Sequence, residues 1–148
     1  MNKILLFFVA TSLLFLSCSK DDSQAEIDRN TILSYIEANN IDAIEHPSGL
    51  YYVIENQGSG GSPMLSDSVK VQYTGYITEG LIFDQTPEGE TRSFLLDDLI
   101  PGWEIGIPLV EKGGEIKLIL PSALAYGSQG QLANRVLIFD IVLEDFGF

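Results

Sequence analysis

The segment "LIPGWEIGIPL", Leu99–Leu109, holds the only tryptophan of the chain, Trp103, among two glycines and two prolines. Glycine and proline disfavour a long helix, and proline is also rare inside strands. Pro101 suits the first turn of a helix, where no backbone donor is needed. The segment therefore predicts a short helix in which Gly102 and Gly106 let the backbone pack closely against its neighbours.

The sequence on both sides of this segment has the pattern of strands. Ser68–Ile77 alternates apolar and polar side chains, which is typical of a half-buried strand. Further β-like runs are "LYYVIEN", "TRSFLL", "EIKLIL" and "RVLIFDIVL". Several short strands with one short helical insert predict an α+β domain, in which a curved antiparallel sheet wraps around a single helix.

Five ordered blocks together resemble the FKBP-type peptidyl-prolyl cis–trans isomerase domain. They are "VQYTGYI", "IFDQT", "LIPGWEIGI", "LPSALAYGS" and "LIFDIVL", and the resemblance covers most of Leu50–Leu143. It implies a half-barrel of antiparallel strands around one short helix, in a domain spanning residues 48–148. It also implies that Trp103 forms the floor of a pocket for proline.

The resemblance assigns roles to individual residues. It implies that Asp84 orients the neighbouring groups, that the hydroxyl of Tyr126 binds a substrate carbonyl, and that the backbone N–H of Ile100 binds the carbonyl on the other side of the proline. These are the three expected catalytic positions. The expected walls and floor of the pocket are Tyr73, Phe83, Leu99, Trp103 and Phe139, with Leu132 as a replacement contact in a shortened loop.

Two stretches depart from the pattern of the family. The stretch "DQTPEGETRSF" is short and lacks the arginine that often pairs with the pocket aspartate. Arg92 stands where many members have an aromatic wall residue, although the register of this stretch is open. The loop after Tyr126 is also short, so we expect an altered wall and an altered substrate preference.

The implied reaction is rotation about X–Pro bonds in proline-containing polypeptides, and it requires no cofactor. Amide resonance sets a barrier of about 18–20 kcal/mol, so the uncatalysed reaction takes tens of seconds or longer. A twisted amide is less polar than a planar one, so a water-poor apolar pocket favours the transition state over the ground state. The alternative interpretation is a non-catalytic cell-surface lipoprotein that uses the same pocket to bind a ligand.

The N-terminus resembles a bacterial lipoprotein signal. Residues 1–17 combine a lysine, an apolar run and a small residue before Cys18, the only cysteine. The sequence predicts acylation of Cys18, whereas an ordinary signal peptide is the alternative. "SKDDS", Ser19–Ser23, resembles a surface-export tag, with a solvated tether as the alternative. We therefore expect a lipid-anchored protein at the outer membrane of a Gram-negative cell, facing the periplasm or the outside.

Residues 18–47 are predicted to be a lipidated tether with a short amphipathic helix. The helix is expected over Glu26–Asn40, with Asp28 or Asn30 as its N-cap and Asn39–Asn40 at its end. "DAIEHPSG" is predicted to be a linker between this helix and the domain.

Charge and composition exclude several kinds of partner. The net charge of −13 makes nucleic acid an unfavourable partner. A single histidine, His46, and a single cysteine give poor support for a metal centre or a Ser–His–Asp triad. We therefore expect neither a metal nor a nucleic acid to bind.

Overall fold

The computed structural model describes residues 20–147, with side chains from residue 23 onward. The predicted leader and Cys18 lie outside these residues. The helices are α1 (Lys20–Ala38) and α2 (Pro101–Gly106), and the strands are β1 (Ile44–Glu45), β2 (Tyr51–Asn56), β3 (Ser68–Ile77), β4 (Ile82–Gln85), β5 (Arg92–Leu95), β6 (Glu115–Leu120) and β7 (Leu137–Phe146). In the described part of the chain, no helix is both long enough and apolar enough to cross a membrane.

The seven strands form one antiparallel sheet, in which six follow the order β1-β2-β6-β7-β3-β4 and β5 pairs with β3. Strand β3 has the predicted bounds and pairs with β7 from Val69 to Ile77. Its other edge pairs first with β5 and then with β4, so both short strands extend the sheet beside β3. The predicted α+β class, with an antiparallel sheet around a short helix, is confirmed.

Helix α2 packs on one face of this sheet, and glycines permit the close approach. Trp103 and Ile107 join the core formed by β3, β6 and β7. A Cβ atom at Gly102 would clash with Leu120, and one at Gly106 would lie 2.5 Å from Leu118 Cδ1. The close packing predicted for both glycines is therefore confirmed.

Replacing Gly106 with alanine is expected to destabilise the protein, although alanine is the better helix former. The added methyl group meets Leu118, which is fully buried and cannot move aside without displacing the core. Overpacking of this kind costs about 1–3 kcal/mol, whereas helix propensity alone would stabilise by about 1 kcal/mol. Denaturant unfolding measures whether Gly106→Ala lowers or raises the free energy of unfolding. The double variant Gly106→Ala with Leu118→Val should recover part of the lost stability. A Gly106→Ala protein that is more stable than the wild type would contradict the close packing of α2 on Leu118.

Helix α1 packs on the opposite face of the sheet. Its apolar side chains and those they meet form a second core: Ile32, Tyr35, Ile36, Tyr51, Ile119, Val136 and Ile138. Strands β6 and β7 are thus buried on both faces, which explains why apolar residues occupy consecutive positions in them.

Two expectations for the N-terminal region are wrong. Helix α1 already includes Lys20, so both candidates for its N-cap, Asp28 and Asn30, lie inside the helix. The first turns of α1 lack a clear apolar period, and the start of the helix predicted from periodicity is therefore too late in the sequence. The predicted end is confirmed, because Asn40 follows the helix with a φ of 51°. The predicted linker contains β1, which pairs with β2.

Candidate active site

A hollow of about 140 Å³ lies between α2 and the sheet. It is lined by Tyr73, Phe83, Asp84, Phe94, Leu99, Ile100, Trp103, Tyr126 and Phe139. The structure thus brings together every expected pocket residue except Leu132, which packs half-buried against the central core. Three larger depressions, of about 510, 560 and 600 Å³, each have at most one aromatic residue in their lining.

Trp103 forms the base of the hollow and is held by three aromatic rings. The edge-to-face contacts have ring centroids 5.0 Å apart for Tyr73, 5.3 Å for Phe139 and 6.2 Å for Phe94. Each such pair adds about 0.5–1.5 kcal/mol beyond the area that it buries. Trp103 is 4% exposed, and its indole nitrogen has no hydrogen-bond partner among the described residues. The base of the hollow is therefore a closely packed aromatic surface.

The polar rim of the hollow is a triad of hydrogen-bonded side chains. The Tyr73 hydroxyl donates to Asp84 Oδ2 at 2.5 Å and accepts from Arg92 Nη1 at 2.8 Å. Arg92 also donates to Asp84 Oδ1 at 3.2 Å. Because both charged side chains are nearly half exposed, their ion pair contributes only about 0–1 kcal/mol to stability. The triad matters for orientation, since it fixes the Asp84 carboxylate over the rim.

The expectation that the pocket carboxylate lacks an arginine partner is wrong. Arg92 is that partner, and the aromatic wall that it was expected to replace is supplied by Phe94, two residues later on β5. Phe94 lines the hollow and Arg92 contacts the Asp84 carboxylate beside it, because residues two apart in a strand lie on the same side. The alternation in "RSFL" indicates that Arg92 and Phe94 share one face of a strand. The short preceding loop, however, left the register of this strand undetermined from sequence.

The Tyr73 hydroxyl should titrate at an unusually high pH. Burial is the main cause that raises its pKa to about 12, and the hydrogen bond and charge of Asp84 act in the same direction. Because its pKa is raised on folding, the neutral Tyr73 hydroxyl contributes to the free energy of unfolding. This contribution is fully present below the unfolded-state pKa of about 10. It is lost as the pH rises through 12, because the unfolded tyrosine ionises first.

Ultraviolet titration of tyrosinate in the wild type and in Tyr73→Phe measures this pKa by difference. The difference between the two titrations should show a midpoint near 12 for Tyr73. In the Asp84→Asn variant, the midpoint for Tyr73 should be lower, because the hydrogen bond and charge of Asp84 raise its pKa. A midpoint near the ordinary value of about 10 would contradict the buried, hydrogen-bonded state.

Two donors on the open side of the hollow have no protein acceptor within the described chain. One is the backbone N–H of Ile100, the residue before α2, whose carbonyl accepts from Trp103 N at 2.9 Å. The other is the hydroxyl of Tyr126, whose residue is 46% exposed. Both groups line the hollow and are free to donate a hydrogen bond to an acceptor inside it.

The described residues place neither a cluster of metal ligands nor the histidine at this site. Among residues 20–147, no group of three or more His, Cys, Asp and Glu side chains could hold a metal ion. His46 lies away from the hollow, where its Nδ1 contacts Ser48 Oγ at 2.9 Å. The hollow combines an apolar base, a fixed carboxylate and two free donors.

Comparison with known proteins points to one family. The family described as FKBP-type peptidyl-prolyl cis–trans isomerase matches residues 60–144. The FKBP-type peptidyl-prolyl cis–trans isomerase FkpA of Aeromonas hydrophila is 46% identical over 100 residues, which is 65% of this chain and 37% of that protein. FkpA of Escherichia coli (strain K12) is 43% identical over 102 residues, which is 66% of this chain and 38% of the relative.

Two solved structures are similar over most of the chain. The crystal structure of FkpA from Escherichia coli has a TM-score of 0.70 at 33% identity, covering 86% of this chain and 64% of that one. The peptidyl-prolyl cis–trans isomerase of Pseudomonas syringae pv. tomato has a TM-score of 0.74 at 25% identity, covering 88% and 98%.

The chain spans about two fifths of the length of the curated relatives described above. The matched segment, residues 60–144, nevertheless makes up more than half of this chain and contains the whole lining of the hollow. The chain therefore belongs to the FKBP-type peptidyl-prolyl cis–trans isomerase family.

Proposed function

We propose that the chain is a peptidyl-prolyl cis–trans isomerase that turns X–Pro bonds in the hollow above Trp103. The observation that carries the proposal is the convergence of an aromatic base, the Asp84 carboxylate and two unpartnered donors on one small cavity. Membership of the family supports it independently.

The proposed mechanism uses binding of a twisted amide instead of covalent chemistry. The prolyl ring enters the hollow and packs on Trp103, where little water surrounds the amide. As the bond turns, the amide loses resonance and polarity, so the apolar environment favours the twisted state. This preference lowers a barrier that is about 18–20 kcal/mol in water.

The polar groups hold the substrate in the pose from which the bond can turn. The N–H of Ile100 and the hydroxyl of Tyr126 bind carbonyls on the two sides of the proline. Asp84, held by Tyr73 and Arg92, keeps the rim in one arrangement. Holding reacting groups in place in this way removes entropy from the barrier.

We further propose that the substrates are exported or surface proteins and that acylated Cys18 anchors the chain to the outer membrane. The order of residues in the leader supports this location, although Cys18 lies outside the described residues. Fractionation of cells that express Cys18→Ala tests the anchor. The variant should leave the membrane fraction, and unchanged membrane retention would count against acylation.

Isomerisation of a short X–Pro peptide by the purified protein tests the activity. The wild type should accelerate the reaction, whereas Asp84→Ala and Tyr126→Phe should be slower. Asp42→Ala, a change at an exposed residue outside the hollow, is the matched control and should keep the wild-type rate. A peptide that binds in the hollow without any acceleration would favour the non-catalytic binding protein.

A further inference from the structure

Helix α1 carries a buried carboxylate that the mechanism described so far does not use. Asp28 is 2% exposed and lies outside the segment that matches the family. Its Oδ1 accepts from Gln24 Nε2 at 2.8 Å. Its Oδ2 accepts from both the backbone N and the Oγ of Ser122, at 2.8 and 2.6 Å. A carboxylate is costly to bury unless it is hydrogen-bonded in this way, so these contacts are strong constraints on both partners.

Ser122 also forms the backbone hydrogen bonds that hold the turn containing Tyr126. The carbonyl of Ser122 accepts from the backbone N of Ala125 at 3.0 Å and of Gly127 at 2.8 Å, the residues on both sides of Tyr126. The carbonyl of Gly127 then accepts from Asn134 N at 2.6 Å, which closes the base of the loop. Ser122 therefore holds the backbone on both sides of Tyr126.

We propose that Asp28 is a positioning residue for the isomerase site, acting on Tyr126 through Ser122. The inference rests on the proposed function, because it assigns α1 a role in that reaction. With Asp28 removed, two buried donors of Ser122 lose their acceptor, and the turn rearranges or admits water to satisfy them. Tyr126 then samples positions from which it does not reach the substrate carbonyl.

The contacts of Asp28 are separate from those that attach α1 to the sheet. The helix is held by Ile32, Tyr35 and Ile36, which pack on the face of the sheet opposite to α2. The Asp28 contact, by contrast, leads through the hydrogen bonds of Ser122 to the Tyr126 turn. A variant at Ile36 therefore loosens the helix without removing the acceptor for Ser122, and it serves as the matched control.

The test compares the full chain with Asp28→Ala, Asp28→Asn and Ile36→Ala by two measurements. Amide hydrogen exchange reports on the N–H groups of Ala125 and Gly127, and a prolyl peptide assay gives kcat/KM. In Asp28→Ala we expect exchange at both amides to be about tenfold faster and kcat/KM to be about tenfold lower. Asparagine retains an acceptor for Ser122, so Asp28→Asn should stay close to the wild type in both measurements.

The outcomes separate this inference from the proposed function. Unchanged exchange in Asp28→Ala, an equal effect in Ile36→Ala, or faster exchange with an unchanged kcat/KM would each overturn the inference. A wild-type protein without isomerase activity would overturn the proposed function instead. In that case the exchange at Ala125 and Gly127 still decides whether Asp28 holds the turn.

Discussion

Replacing Trp103 with alanine should lower the free energy of unfolding by about 3–5 kcal/mol and remove most of the proposed isomerase activity. The indole is buried against three aromatic rings, so its removal leaves a cavity below the hollow and frees Tyr73 and Phe139 to move. Chemical denaturation measures the stability, and the prolyl peptide assay measures the activity.

Trp103→Leu separates the two effects. Leucine fills part of the volume, so the loss of stability should be smaller than for alanine. The flat base for the prolyl ring is absent in both variants, so kcat/KM should remain well below that of the wild type. A Trp103→Ala protein that loses less than about 1 kcal/mol would contradict the packing, and full activity in Trp103→Leu would contradict its role as the base.

Gly75→Ala is expected to have the second largest effect, because Gly75 lies directly behind two walls of the hollow. A Cβ atom there would be 2.8 Å from Phe83 Cζ and 2.8 Å from Phe139 Cε1. These two rings form an edge-to-face pair with centroids 5.6 Å apart, and both line the hollow. The added methyl group must therefore displace at least one wall.

We expect Gly75→Ala to lose about 1–3 kcal/mol of stability through overpacking. A displacement of about 1 Å in a binding wall can lower kcat/KM about 100-fold. In the double variant Gly75→Ala with Phe83→Leu, the smaller side chain makes room, so stability should recover while activity should not. A stable and fully active Gly75→Ala variant would show that the walls are not held by this contact.

The sequence was informative about the hollow because its residues fall in ordered blocks that also set the local structure. Trp103 belongs to a segment that can form only a short helix, and Tyr73 lies on the buried side of a clearly alternating strand. Phe83 and Asp84 are adjacent, and strand pairing places Asp84 opposite Gly75. For these residues, local pattern and resemblance lead to the same position.

The sequence was less informative wherever long-range contacts decide the arrangement. Asp28 has the residue type of a helix cap, but it bonds to Ser122, which is 94 residues away. Arg92 and Phe94 follow a shortened loop, and their register is fixed only by the pairing of β5 with β3, which places Arg92 opposite Val71. Strand β1 is two residues long and forms only because β2 is available to pair with it. None of these contacts produces a local period.

In the proposed reaction, the hollow above Trp103 takes up a prolyl ring and lowers the barrier to rotation of its amide bond. Exchange NMR on a short X–Pro peptide mixed with the protein measures both parts together. We predict cis–trans exchange in about a second or less, compared with tens of seconds in buffer, and proton contacts between the prolyl ring and the Trp103 indole. Exchange as slow as in buffer, or faster exchange without any contact between proline and Trp103, would contradict the account.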